Sequence, residues 1–184
     1  MERMDRRRVL VIEDDPEFLQ AMSLSLTARG YDVVAACDAE AGLRAHETAP
    51  ADLAVIDMIT PVRNGVETIV ALRRAGRPVR ILAISGGFVT GPEYYLVLAR
   101  HLGADAVMAK PFALTDLADA AARLLEAPPR ADEGELTPER LEATFDLAER
   151  LDDAVIIARL MLARMEGPAN DEDQAPPLRS KPRL

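Results

Sequence analysis

Aromatic residues make up only 4% of the 184 positions, and none is a tryptophan. Any core this chain forms is therefore aliphatic. A single cysteine, Cys37, rules out an internal disulfide, and two histidines with one thiol rule out zinc sites of the Cys2His2 kind. Cys37 is instead expected to be a small buried hydrophobe. Basic residues are outnumbered: 22 Lys and Arg stand against 31 Asp and Glu, for a net charge of −9. That balance suits poorly a protein that grips nucleic acid through its phosphates. Long apolar runs are missing as well. The run Val9 to Ile12 stops at Glu13, so neither a bilayer span nor, despite Arg6-Arg7-Arg8, a secretory signal is expected. A cytosolic protein without a membrane partner is the expectation. The chain is 49% hydrophobic and 29% charged, which is a globular rather than a disordered composition.

What is present is a regular alternation. Val9 to Ile12 is a continuous apolar run, the pattern of a strand buried on both faces. Asp15-Pro16-Glu17 follows as a helix start, with cap, first-turn proline and first-turn acid, and Gly30 closes that helix. The pattern repeats. Strands are expected at Val33 to Cys37, Leu53 to Ile56, Val79 to Ile84 and Ala106 to Ala109. Helices are expected at Ala39 to Thr48, Asn64 to Ala75, Pro92 to Leu102 and Leu114 to Leu125. His46 and His101 fall on helix faces expected to be solvated. Five strand–helix units in succession imply an α/β fold with a parallel sheet and helices on both faces.

The residues at the strand ends carry the chemistry. Strand one ends in Glu13 and Asp14, strand three in Asp57, strand four in Ser85 and strand five in Lys110. In a parallel sheet these ends share one edge, where ligands bind. Three carboxylates brought together repel one another unless a cation joins them. Oxygen ligands of this kind suit Mg²⁺, and a hydroxyl and an ammonium beside it suit the oxygens of a phosphoryl group. An aspartate so placed can act as a nucleophile and become an acyl phosphate. Lys110 is one of two lysines against twenty arginines, which favours a functional ammonium at that position.

The ordered set Val9-Leu10-Val11-Ile12-Glu13-Asp14-Asp15, Asp57-Met58-Ile59-Thr60-Pro61 with Gly65, Ile84-Ser85-Gly86, and Gly103-Ala104-Asp105 leading to Lys110-Pro111-Phe112 resembles the receiver domain of bacterial two-component response regulators. The resemblance covers about residues 8–126. It implies a flavodoxin-like, doubly wound five-stranded sheet in the order 2-1-3-4-5. It further implies Asp57 as phosphoacceptor and Mg²⁺ held by Glu13, Asp14, Asp57 and the carbonyl of Ile59. Ser85 is then the switch hydroxyl and Lys110 the phosphoryl-contacting lysine, with Lys110-Pro111 a cis peptide. A sensor histidine kinase or phosphotransfer protein would be the donor. Two departures stand out. Val107 occupies a place where many receivers carry an aromatic switch, so Phe88, Tyr94 or Tyr95 are candidates for that role. Ile59 offers no polar group to orient an attacking water, which implies a long-lived phosphoryl group.

Beyond residues 1–126, Ala127 to Gly134 reads as a linker that extends to residue 136. Thr137-Pro138-Glu139 then caps a helical extension over residues 137–166, about 42 Å long if unbroken. A disordered tail is expected over 167–184. The residues after Glu126 carry 13 acids and 8 bases, with no basic recognition helix, so DNA binding is not expected. An a/d-like series of Leu141, Thr144, Ala148, Leu151, Val155, Ala158, Leu162 and Met165 calls for a partner face. Three partners fit: the chain's own receiver, a second copy in a homodimer, or a target protein. The leading function is therefore a phosphorylation-controlled regulator acting through protein contacts. A phosphate sink or shuttle and a phosphorylation-independent scaffold are the alternatives. A phosphohydrolase is disfavoured, because such enzymes carry a second acid where Ile59 stands.

Overall fold

The structure, a computed structural model, describes residues 6–60, 65–86, 92–128 and 136–150. Its elements alternate as the sequence implies. They are β1 (Arg8–Ile12), α1 (Pro16–Ala28), β2 (Asp32–Ala36), α2 (Ala39–Thr48), β3 (Leu53–Asp57), α3 (Gly65–Arg74), β4 (Arg80–Ser85), α4 (Pro92–His101), β5 (Ala106–Ala109), α5 (Leu114–Glu126) and α6 (Pro138–Arg150). All strand pairs are parallel and the order is β2-β1-β3-β4-β5.

Side chains alternate across the sheet with the period of two that a strand imposes. Val9, Val11, Leu53, Val55, Leu82 and Ile84 point to one face, where Met22 and Leu26 of α1 and Leu117 and Ala121 of α5 cover them. Leu10, Ile12, Ala54, Ile56, Ile81 and Ala83 point to the other, under residues of α2, α3 and α4. The central strand β3 is buried along its whole length, which explains its unbroken apolar run.

Local signals account for the helix boundaries. The Asp15 carboxylate accepts hydrogen bonds from the N–H groups of Glu17 at 2.9 Å and Phe18 at 3.0 Å, capping α1 as its sequence implies. Asp38 caps α2 by accepting from the Ala41 N–H at 2.7 Å. Thr137 Oγ1 accepts from the Arg140 N–H at 3.3 Å at the start of α6.

Two expectations are corrected. Cys37 is exposed: it lies one residue past the end of β2, an edge strand, and its thiol faces Asp38 Oδ2 at 3.7 Å. His46 is buried, at 2% exposure. It shares the inward face of α2 with Ala39 and Gly42, and its Nδ1 accepts the Ala51 N–H at 3.1 Å across the α2–β3 turn. His101 is exposed.

Helix α6 lies against α4. Its Ala148 is fully buried in the cluster on the α4 side of the sheet, and Leu141, Phe145 and Leu147 pack there too. Of the expected helix over 137–166, the part from residue 151 onward is outside the described residues. So are the tail over 167–184, most of the linker over 127–136, and Phe88.

Candidate functional site

The site forms where the strand order reverses, at the carboxyl ends of β1 and β3. Backbone hydrogen bonds just beyond the strand ends hold it in shape. Glu13 N–H donates to the Ala36 carbonyl at 3.1 Å, Met58 N–H to Ile84 at 2.9 Å, and Lys110 N–H to Ser85 at 2.8 Å. Each functional side chain thus hangs from the last ladder position of a strand or the residues that follow it.

Five residues expected from sequence meet here. Lys110 Nζ donates to Glu13 Oε2 and to Asp57 Oδ2, both at 2.7 Å. The other Asp57 oxygen, Oδ1, accepts the Ile59 N–H at 3.0 Å. Carboxylate oxygens of Glu13, Asp14 and Asp57 lie within 4.8 Å of one another. Glu13 and Asp57 are buried and Asp14 is exposed at the rim. Ser85 is fully buried, and its hydroxyl has no hydrogen-bond partner among the described residues. A cavity of about 380 Å³ opens beside these groups, lined by Asp57, Ile59, Gly86, Lys110 and Pro111. The Lys110-Pro111 peptide is cis, as expected.

The electrostatics follow from burial and charge. Burial pushes the Glu13 carboxyl up to about 7, against the Lys110 hydrogen bond that lowers it and with the Asp57 charge that raises it further. Burial acts to lower Lys110, but its bonds to Asp57 and Glu13 outweigh that and raise it overall. The ammonium is therefore a fixed positive charge between two carboxylates.

Close approach requires glycine at position 65 and leaves little room at position 86. A Cβ on Gly65 would lie 2.6 Å from Met58 Cα and 2.8 Å from the Asp57 carbonyl oxygen. A Cβ on Gly86 would press on the Lys110 stem at 3.3 Å. One contact lies outside the strand-end residues. The Phe18 ring sits under Lys110 Nζ, 4.7 Å from centroid to nitrogen. In sequence Phe18 reads only as one of several apolar residues at helical spacing, so nothing there signals that contact.

The sequence matches the response regulator receiver domain family over residues 9–122. The chain belongs to that family. Two curated relatives illustrate the match. The alkaline phosphatase synthesis transcriptional regulatory protein PhoP of Bacillus subtilis is 34% identical over 106 residues, covering 58% of this chain and 43% of that protein. The transcriptional regulatory protein KdpE of Mycobacterium tuberculosis is 32% identical over 117 residues, covering 59% and 46%. The matched part thus spans less than half the length of these relatives. Among solved structures, a CheY-like response regulator receiver domain protein from Methanospirillum hungatei superposes with a TM-score of 0.60 at 25% identity, over 66% of this chain and 94% of that one.

Receiver domains are signalling modules rather than enzymes in the ordinary sense, and they bind Mg²⁺ at an acidic pocket. The donor set fits that ion: three carboxylates converge, and hard oxygen ligands are what Mg²⁺ takes. In this receiver Val107 is half-buried and packs on the same cluster as Tyr94 and Tyr95, whose rings meet edge-on at 5.0 Å.

Proposed function

We propose that this receiver accepts a phosphoryl group on Asp57 from a histidine kinase or phosphotransfer protein and passes the signal on through protein contacts. The observation that carries the reading is the Lys110 ammonium, 2.7 Å from both Glu13 and Asp57 in a chain otherwise almost without lysine. Such a charge, fixed beside a buried nucleophile, stabilises oxygens that gain negative charge.

The chemistry assigned to these residues is a single transfer. An Asp57 carboxylate oxygen attacks phosphorus and the P–N bond of a phosphohistidine breaks. The imidazole nitrogen leaves with the bond pair and takes up a proton, and Asp57 becomes an acyl phosphate. Lys110 donates to a phosphoryl oxygen, and the buried Ser85 hydroxyl is the second donor. Mg²⁺, when bound, neutralises charge on the carboxylates and the phosphoryl oxygens. Glu13, Asp14 and Asp57, with the Ile59 carbonyl, are the groups assigned to hold it. The added charge of about −1.5 to −2 then biases the loops around the site.

Residues 1–126 are taken as the receiver and residues 137–166 as a helical extension, in a cytosolic protein. Output through protein contacts rather than DNA is supported by the net charge of −9 and by the acids Glu139, Glu142 and Asp146 on exposed positions of α6.

The test is intact-mass analysis after incubation with Mg²⁺ and acetyl phosphate. One phosphoryl adduct is expected on the parent, and none on Asp57→Asn or without Mg²⁺. An adduct that persists in Asp57→Asn refutes the acceptor assignment. Salt-sensitive DNA binding by the phosphorylated chain refutes the protein-contact output.

A further inference from the structure

We propose that Phe18 is a positioning residue for phosphoryl transfer: its ring seats the Lys110 ammonium beside Asp57. The inference rests on the acceptor reading of Asp57 given above. Lysine carries its charge on a long flexible stem, and this one is fixed at several points. Gly86 leaves room for the stem, since a Cβ there would stand 3.3 Å from Lys110 Cδ. Glu13 and Asp57 accept from the head, and the face of Phe18 lies 4.7 Å from it. The negative face of an aromatic ring attracts an ammonium at this distance.

The ring is itself held from two sides. Phe18 lies in the first turn of α1, and its N–H is bound by the Asp15 cap at 3.0 Å. Its ring packs on Phe112 with centroids 5.6 Å apart. Phe112 follows Lys110 and Pro111 directly, so the aromatic pair clamps the lysine-bearing turn onto α1. Phe18 and Phe112 both join the core cluster on the α1/α5 face.

The ring also differs in kind from the other two contacts. Glu13 and Asp57 are carboxylates assigned to hold the cation, so both would be shared between Lys110 and a bound Mg²⁺. An aromatic face is no ligand for such an ion. Phe18 is thus the one contact of the three that a bound Mg²⁺ would leave uncontested, and it would keep the ammonium at hand for the phosphoryl group.

The chain has only two lysines, Lys110 and Lys181, which makes a direct test simple. Metal-free protein labelled with ¹³C at lysine Cε gives two signals, and the ring current of Phe18 should displace that of Lys110. The displacement should persist in Phe18→Tyr and vanish in Phe18→Leu and Phe18→Met, which keep apolar volume without the ring. In the acetyl phosphate reaction with Mg²⁺, the Leu and Met variants should acquire the adduct roughly three- to tenfold more slowly, while Phe18→Tyr stays close to the parent. A Lys110 signal indifferent to loss of the ring overturns the proposal. So does a Tyr variant slowed as much as the Leu variant, because the effect would then be packing. A parent that takes up no phosphoryl group overturns the acceptor reading of Asp57 instead, while the lysine signal still decides the seat.

Discussion

Asp105→Ala should destabilise the receiver severely and leave its phosphoryl chemistry intact. Asp105 sits at the opposite end of the sheet from Asp57, just before β5. Its side chain is 6% exposed and accepts three hydrogen bonds: from Arg73 Nη2 at 3.1 Å, from Arg80 Nη1 at 2.9 Å and from the Ile81 N–H at 2.8 Å. The guanidinium groups are themselves nearly buried, at 3% for Arg73 and 11% for Arg80. Removing the carboxylate leaves two buried cations close together and a buried N–H without its acceptor. Breaking a buried ion pair from one side costs about 3–5 kcal/mol. The lower part of that range applies, because Arg73 keeps the carbonyls of Val79 and Gly103 and Arg80 keeps those of Ala127 and Pro128. A loss of about 3–4 kcal/mol lowers Tm by about 10 °C in a chain of this size. Asp105→Asn keeps an acceptor for Ile81 but loses the charge and turns an NH2 toward one guanidinium, so most of that loss, about 2–3 kcal/mol, is expected to remain. Urea unfolding with Tm from calorimetry measures both. Ile81 and Ser85 lie four residues apart on β4, about 13 Å, so the acetyl phosphate reaction well below Tm should match the parent. A loss under about 1 kcal/mol in Asp105→Ala would mean that the cluster behaves like a surface ion pair and refute the reasoning. Failure of the folded variant to take up phosphate would refute the separation of scaffold from site.

The remaining predictions are shorter. His46 is buried, its pKa is lowered mainly by burial, and its Nδ1 accepts a backbone N–H. The unfolded chain therefore takes up this proton first. The histidine's contribution is fully present above its ordinary value of 6.5 and is lost as pH falls through that value toward the lower folded one; His46→Gln should flatten that part of a urea-stability profile, and an unchanged slope would assign it to other groups. Ala148 is fully buried in the cluster on the α4 side, so Ala148→Glu should abolish hydrogen-exchange protection in α6 and leave the protection of β1 and β3 unchanged. Loss of protection throughout the sheet would show that α6 is integral to the fold. Ile59 is 40% exposed beside Asp57 and brings no polar side chain to the site, so the phosphoryl group, once formed with Mg²⁺ and freed of donor, should persist for minutes or longer; decay within seconds refutes that.

The parts legible in the sequence share a physical cause. A strand buried on both faces must be apolar along its length, so the residue where β1 or β3 turns polar is also where it reaches the sheet edge. Glu13 and Asp57 advertise both the end of a strand and the place of a site. Asp15 and Thr137 are legible for a related reason, since a cap acts on backbone N–H groups two or three residues away. What escaped depends on contacts between distant segments. Residue type points to a solvated His46 and a buried Cys37, whereas helix phase buries the one and an edge-strand terminus exposes the other. The phase was readable, because His46 falls seven residues after Ala39 and four after Gly42 on the buried face of α2. The exposure of Cys37 is legible only through the resemblance, whose strand order puts β2 at an edge of the sheet; the residue pattern by itself does not mark it.

Helix α6 shows the same limit. Its apolar series announces that it needs a covering surface, and it is silent about which one. The structure places Leu141, Phe145 and Ala148 against the cluster that also holds Tyr94, Tyr95 and Val107. Helix α6 and strand β5 thus both pack on α4, within one apolar cluster. A shift of α4 on phosphorylation would have to repack α6 along with it, because close-packed interiors do not deform independently. That coupling needs no switch aromatic on β5. It requires only that α4 cannot move without the helix that rests on it.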